Sequence, residues 1–206
     1  MRATIKSSRF VPAISLIATM ATAGTAAADG YFEGVAGLSI PFGDDDWDNF
    51  SDESTKLGVR AGGGGGPTAL ELAGDITLVN ADSTLDDLPG DFGAQRFRVL
   101  IGARHRVKAG NATVFFRAGG GVDIFHYTAS GEVFGVEFER SETDPGIAAE
   151  VGGGFTVPVG NLYIGGQIGV PMAFHFDDDD PGNDEDADLE YSAYDIDLLF
   201  TIGMRQ

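Results

Sequence analysis

The chain has 206 residues, with 13 Lys and Arg against 32 Asp and Glu, a formal net charge of −19, 31 Gly and no Cys. So negative a chain repels polyanions, which excludes nucleic acid as a partner, and without cysteine there is no disulfide, thiolate metal site or thiol nucleophile. Glycine at roughly twice its ordinary usage speaks against a helical protein, while 43% hydrophobic residues speak for a folded one.

Residues 1–28 read as a secretory signal peptide. Arg2, Lys6 and Arg9 precede an apolar run over 10–20, and small residues then lead to a cleavage position after Ala28. Removal would leave 29–206 as one domain with a net charge of −22. That domain holds no apolar run long enough for a membrane helix and no helical periodicity. Strict two-residue alternation recurs instead, eight times, at about 30–42, 55–63, 68–80, 93–107, 112–127, 146–158, 161–176 and 191–205. The connections alternate in kind. Residues 62–67, 108–111 and 160–161 are short turns; 43–54, 81–92, 128–145 and 177–190 are long and acidic. With both termini at the short-turn end the strand number must be even.

Each segment has two unlike faces. In the last, Tyr194, Ile196, Leu198, Phe200, Ile202 and Met204 oppose Asp195, Asp197, Leu199, Thr201, Gly203 and Arg205. The polar faces together hold Glu33, Glu71, Asp75, Asp123, Glu150, Asp195 and Asp197 with Arg60, Arg96, Arg98, Arg104, Arg106 and Arg117. The two signs nearly cancel, and every base in the set is arginine, the residue suited to bidentate pairing with buried carboxylates. A solvated face would carry lysine, which stands at only positions 56 and 108 beyond the signal peptide. A balanced polar set therefore reads as the inside of a barrel, with the apolar set outside against lipid; a soluble, lipocalin-like barrel is the inverse alternative. Aromatic residues at both strand ends agree with two interfacial girdles. Phe32, Phe116, Phe155 and Tyr163 lie toward the short turns, and Phe42, Phe92, Phe174, Phe176 and Tyr194 toward the long loops.

The signal peptide, the eight segments, a glycine-rich first strand (YFEGVAGLSIPF, Tyr31 to Phe42) and the closing strand (YDIDLLFTIGM, Tyr194 to Met204) resemble the small outer-membrane β-barrel proteins of the OmpA/OmpX type. The resemblance covers the whole domain and rests on pattern. It implies an all-β, eight-stranded antiparallel up-and-down transmembrane barrel, with short periplasmic turns and long acidic extracellular loops. It also implies outer-membrane lipid and lipopolysaccharide as surroundings, the barrel-assembly machinery as a partner in biogenesis, and a monomer. One departure is the ending Met204-Arg205-Gln206, where such closing strands carry a terminal aromatic. A second is that no periplasmic domain is expected after the last strand.

Eight strands enclose a lumen that side chains can fill. The charged set is then expected to be a packed polar core in an envelope-stabilising or surface-contact protein, with no cofactor. A narrow ion path is the alternative. A lipid A-modifying enzyme is the weaker alternative, because His126 and Ser130 stand four apart where such enzymes carry H-x-S. His105, His126 and His175 fall at different rims or on different faces, so they suggest no shared metal site. In the last loop, Asp177-Asp178-Asp179-Asp180-Pro181-Gly182 faintly resembles a calcium loop, with Asp177, Asp179 and Asp188 as weak candidate ligands. Proline at a ligand position and the missing closing Glu argue against it. Diffuse binding of Mg²⁺ or Ca²⁺ by the acidic loops fits better. Residues 132–139 still alternate, so strands five and six are expected to continue as a projecting hairpin.

Overall fold

A computed structural model describes residues 30–42, 51–81, 91–133, 136–176 and 189–205. Eight strands form β1 (Tyr31–Pro41), β2 (Ser51–Gly63), β3 (Thr68–Ala81), β4 (Asp91–Ala109), β5 (Ala112–Val133), β6 (Val136–Val159), β7 (Leu162–Phe176) and β8 (Leu189–Arg205). Each pairs antiparallel with the next, and β1 closes on β8 from Tyr31↔Arg205 to Pro41↔Asp195, giving a closed up-and-down barrel. The signal-peptide segment, most of the first and last acidic loops, and Asp177, Asp179 and Asp188 lie outside the described residues.

Two of the short turns follow directly from their sequence. Gly110-Asn111 joins Ala109 to Ala112, and Gly160-Asn161 joins Val159 to Leu162. Gly110 and Gly160 have φ of 63° and 62°, the left-handed conformation that two-residue hairpins demand at their first position.

The alternation sorts into an apolar outside and a mixed inside. Leu70, Ile101 and Phe116 are 72%, 67% and 62% exposed on the outer wall. On β5 the outward residues are apolar or glycine from Val114 to Ile124 and turn polar at His126. Eleven residues on a strand tilted by about 40° rise about 28 Å, close to the apolar band of a transmembrane barrel. Inside, Ala73, Leu100 and Ala148 form one small apolar cluster, and Val79, Ala94, Phe125, Ala173 and Ala193 another.

Two boundaries and one side chain depart from the alternation pattern. β2 begins at Ser51, four residues before the regular alternation, through a register shift between Asp52 and Thr55. A bulge carries one extra residue and breaks a strict two-residue period without ending the strand. β5 and β6 run on, paired as far as Val133↔Val136, so much of the expected third loop is a hairpin. Tyr163 is the third departure. It is buried in the lumen and not part of the lipid-facing girdle. Its cause is a cross-strand glycine. Tyr163 faces Gly203, and Tyr31 faces Gly62, where an added Cβ would come within 2.5 and 2.6 Å of the respective tyrosines.

Candidate functional site: the charged lumen

The inward charges are arranged in three tiers, taken from the short-turn end to the long-loop end. In the lowest tier Arg104 grips both oxygens of Glu33, with Nη1 donating to Oε2 at 3.0 Å, and its Nε lies 2.8 Å from Glu71. Arg117 Nε lies 2.7 Å from Glu71, and the same guanidinium bonds Glu150. Arg60 lies 3.5 Å from Glu150 and 3.9 Å from Glu33, and donates to Gln167, whose amide in turn donates to Thr201 at 2.6 Å. The hydroxyls of Tyr31 and Tyr163 donate to Glu71 (2.5 Å) and Glu33 (3.1 Å). The Arg104 guanidinium also sits 4.2 Å from the centre of the Phe115 ring and 4.7 Å from that of Tyr31. Two tyrosines, a phenylalanine and an arginine thus plug the short-turn end.

The middle tier contains Asp75, Asp197, Arg98 and Lys56. Arg98 lies 3.1 Å from Asp75 and 3.6 Å from Asp197. Lys56, fully buried, bonds Asp197 and lies 3.3 Å from Asp75, and Ser39 donates to Asp197 at 2.7 Å. In the upper tier Arg96 lies 2.8 Å from Asp123 and 2.6 Å from Asp195. His175, also buried, has Nε2 at 3.2 Å from Asp123 and Nδ1 at 2.9 Å from Asp144.

Twelve of the thirteen lumen residues read from the sequence meet in these tiers. Arg106 does not. It is half-buried at the short-turn mouth, donating to the Gly66 carbonyl at 3.2 Å with its guanidinium 5.8 Å from the Tyr31 ring centre. Near the end of its strand the guanidinium reaches a turn carbonyl before it reaches an inner carboxylate. Lys56 is the residue that sequence reasoning missed. The signal for it was present: Lys56 shares the parity of Arg60 on β2, four residues along the same face.

The two lower tiers are balanced, three bases against three acids below and two against two in the middle; above, Arg96 stands between Asp123 and Asp195, with His175 beside Asp123. A buried charge without its counter-ion costs several kcal/mol, so a filled, neutral lumen is self-consistent and an unbalanced one is not. Among the described residues no cluster of three or more His, Asp or Glu is placed to hold a metal ion. His126 lies on the outer face with Nδ1 at 2.9 Å from Thr143, and Ser130 is four residues, about 13 Å, farther along the same strand. That separation brings together no His–Ser pair.

No protein-family model matches the chain, and no curated protein does. Solved structures do match. A major outer membrane protein from Thermus thermophilus superposes with a TM-score of 0.59 at 13% identity, covering 86% of this chain and 98% of the other. Neisserial surface protein A superposes with a TM-score of 0.51 at 12% identity, covering 87% and 98%. The chain has the fold of the small outer-membrane β-barrels. At this level of identity the likeness is one of fold alone. The pairing inside the lumen is read from this chain's own residues.

Proposed function

We infer that the protein is an outer-membrane barrel of a bacterial envelope, that its lumen is a packed polar core and not a diffusion path, and that its work is done by the barrel as an envelope component and by the long-loop rim as a contact surface. The short turns face the periplasm on this reading. The observation that carries it is the lumen: charged residues of seven strands interlock there, β7 adding Gln167 and His175, and each buried Arg, Lys, Asp and Glu of the three tiers lies beside an oppositely charged neighbour. Such a core fixes barrel shape and blocks general passage. The rim supports the second half. β5 and β6 project beyond the apolar band as a paired hairpin, flanked by acidic loops that would hold divalent cations diffusely beside lipopolysaccharide. The separation of His126 from Ser130 supports a role without catalysis.

Planar-bilayer recording tests the lumen reading. The wild type is expected to give no steady large conductance. Arg98→Ala, which opens the middle tier and leaves Lys56 alone to face Asp75 and Asp197, is expected to give flickering current. A large, steady wild-type conductance would favour the narrow channel instead.

A further inference from the structure

On a chain with a net charge of −19, the short-turn end has the opposite sign. Among the described residues its exposed and half-exposed positions carry His105, Arg106, Lys108 and Arg205. Among the described residues the acids nearest to it, Glu33 and Glu71, are buried and already bonded to arginine. Two of the basic groups, Lys108 and Arg205, line a recess. Between the β4–β5 turn, the β6–β7 turn and the end of β8 lies a vestibule of about 420 Å³ lined by Lys108, Asn111, Thr113, Thr156, Asn161 and Arg205. On its inner side it meets the plug at Tyr163, and it shares Thr113, Thr156 and Arg205 with a small adjoining recess lined by Tyr31, Arg104 and Phe115. Two of the cations are drawn in over that plug: the Arg205 guanidinium lies 5.3 Å from the Tyr163 ring centre and that of Arg106 lies 5.8 Å from the Tyr31 ring centre. Val107, Val159, Leu162 and Met204, all about half exposed on the outer wall, put the recess at the level where the apolar band ends.

We propose that this vestibule binds a phosphate group, supplied by the headgroup of an anionic phospholipid in the adjoining leaflet. Cationic side chains, amides and hydroxyls without a carboxylate among them are the donor set that a phosphodiester accepts from. Net attraction at a basic mouth is strongest for lipid anions because they are concentrated at that depth. The lipid source rests on the membrane reading given above; the phosphate chemistry does not.

The test uses the refolded barrel with Lys108→Gln/Arg205→Gln as the variant. Both side chains are exposed, and neither belongs to the three tiers. Heat-modifiable gel mobility confirms folding of each. In nanodiscs of phosphatidylcholine with phosphatidylglycerol, native mass spectrometry after release is expected to find the wild type enriched in bound phosphatidylglycerol over its mole fraction. The variant is expected to lose that enrichment at least about fivefold. In detergent, titration with inorganic phosphate followed by amide shifts at Gly110, Asn111 and Asn161 reads the free ion. Shifts there without lipid enrichment assign the site to free phosphate. Equal enrichment in both proteins with no amide shift overturns the proposal. A chain that inserts in nanodiscs yet shows neither effect overturns the phosphate site and leaves the membrane reading intact, whereas one that never inserts contradicts that reading, and the detergent arm still decides the phosphate site.

Discussion

Lys56 holds the middle of the lumen together. It is shared between Asp75 and Asp197, and Arg98 alone would otherwise face both carboxylates. Replacing it by methionine, Lys56→Met, keeps much of the volume and removes the charge. The expected loss in urea unfolding from lipid vesicles is about 3–5 kcal/mol, the cost of leaving a buried carboxylate without its partner. Adding Asp197→Asn should recover part of that loss, since the surplus charge goes with it. Lys108→Gln, exposed at the mouth, should stay within about 0.5 kcal/mol of wild type. A Lys56→Met protein as stable as wild type would show that the tier tolerates a net negative charge. The lumen was legible in the sequence because the pleat fixes side-chain direction to every second residue, so twelve inward charges followed from parity. Which acid meets which base was not legible, because pairing depends on the stagger of one strand against the next. Lys56 escapes a reading in which residue type outranks parity. Tyr163 reads as outward because aromatic residues at strand ends usually face lipid, and the glycine across from it, Gly203, is a neighbour only once β7 and β8 are in register.

The β5–β6 hairpin is the element that runs on past the apolar band. Its outer face changes from Ile124 and Ile147 to His126, Thr143 and Ser141 within a few residues, and its pairing continues without interruption to Val133↔Val136. The alternation over 132–139 already indicated this, whereas the polarity of 139–144 disguised it as loop. Above the band the hairpin is held by side chains on paired positions: Tyr127 donates to Glu142 across the ladder, and Arg140 bonds the same carboxylate at 2.7 Å. The Tyr127 hydrogen bond first, and Arg140 second, hold the Glu142 carboxyl below its ordinary value. A group depressed in the folded state stabilises above its unfolded pKa, near 4.3 for Glu, and ceases to do so as pH falls through its folded value. The upper hairpin is therefore expected to lose amide protection around Tyr127 and Glu142 as pH drops from about 6 toward 3, after correction for intrinsic exchange, while strand residues inside the band keep theirs. Glu142→Gln should give a hairpin indifferent to pH over that range. Acid-induced loss that persists in Glu142→Gln would assign the effect to other rim carboxylates.

At the scale of the whole molecule, acidity is segregated. Of the 32 acids, twenty-four fall within 43–54, 81–92, 128–145 and 177–190, where Arg140 is the sole Lys or Arg. The lumen is close to neutral and the short-turn end is basic, so the barrel is an axial dipole with a surplus of like charge at one rim. Two responses to salt then compete. Screening weakens the exposed Arg140–Glu142 pair and the basic mouth, which destabilises; it also relaxes repulsion among the rim acids, which stabilises. The buried tiers, shielded by the wall, should change little. Repulsion involves many more groups than the exposed pairs, so raising NaCl from about 20 to 500 mM, which shortens the Debye length from roughly 20 Å to about 4 Å, should raise the urea midpoint of the vesicle-inserted barrel. Diffuse cation binding adds a second expectation: at matched ionic strength CaCl₂ should raise the midpoint further than NaCl, by mass action on the folded rim. An equal effect of the two salts would reduce the acidic rim to a screened surface with no affinity for divalent ions. A falling midpoint would mean that the exposed pairs outweigh the repulsion and that the rim acids lie too far apart to strain the barrel.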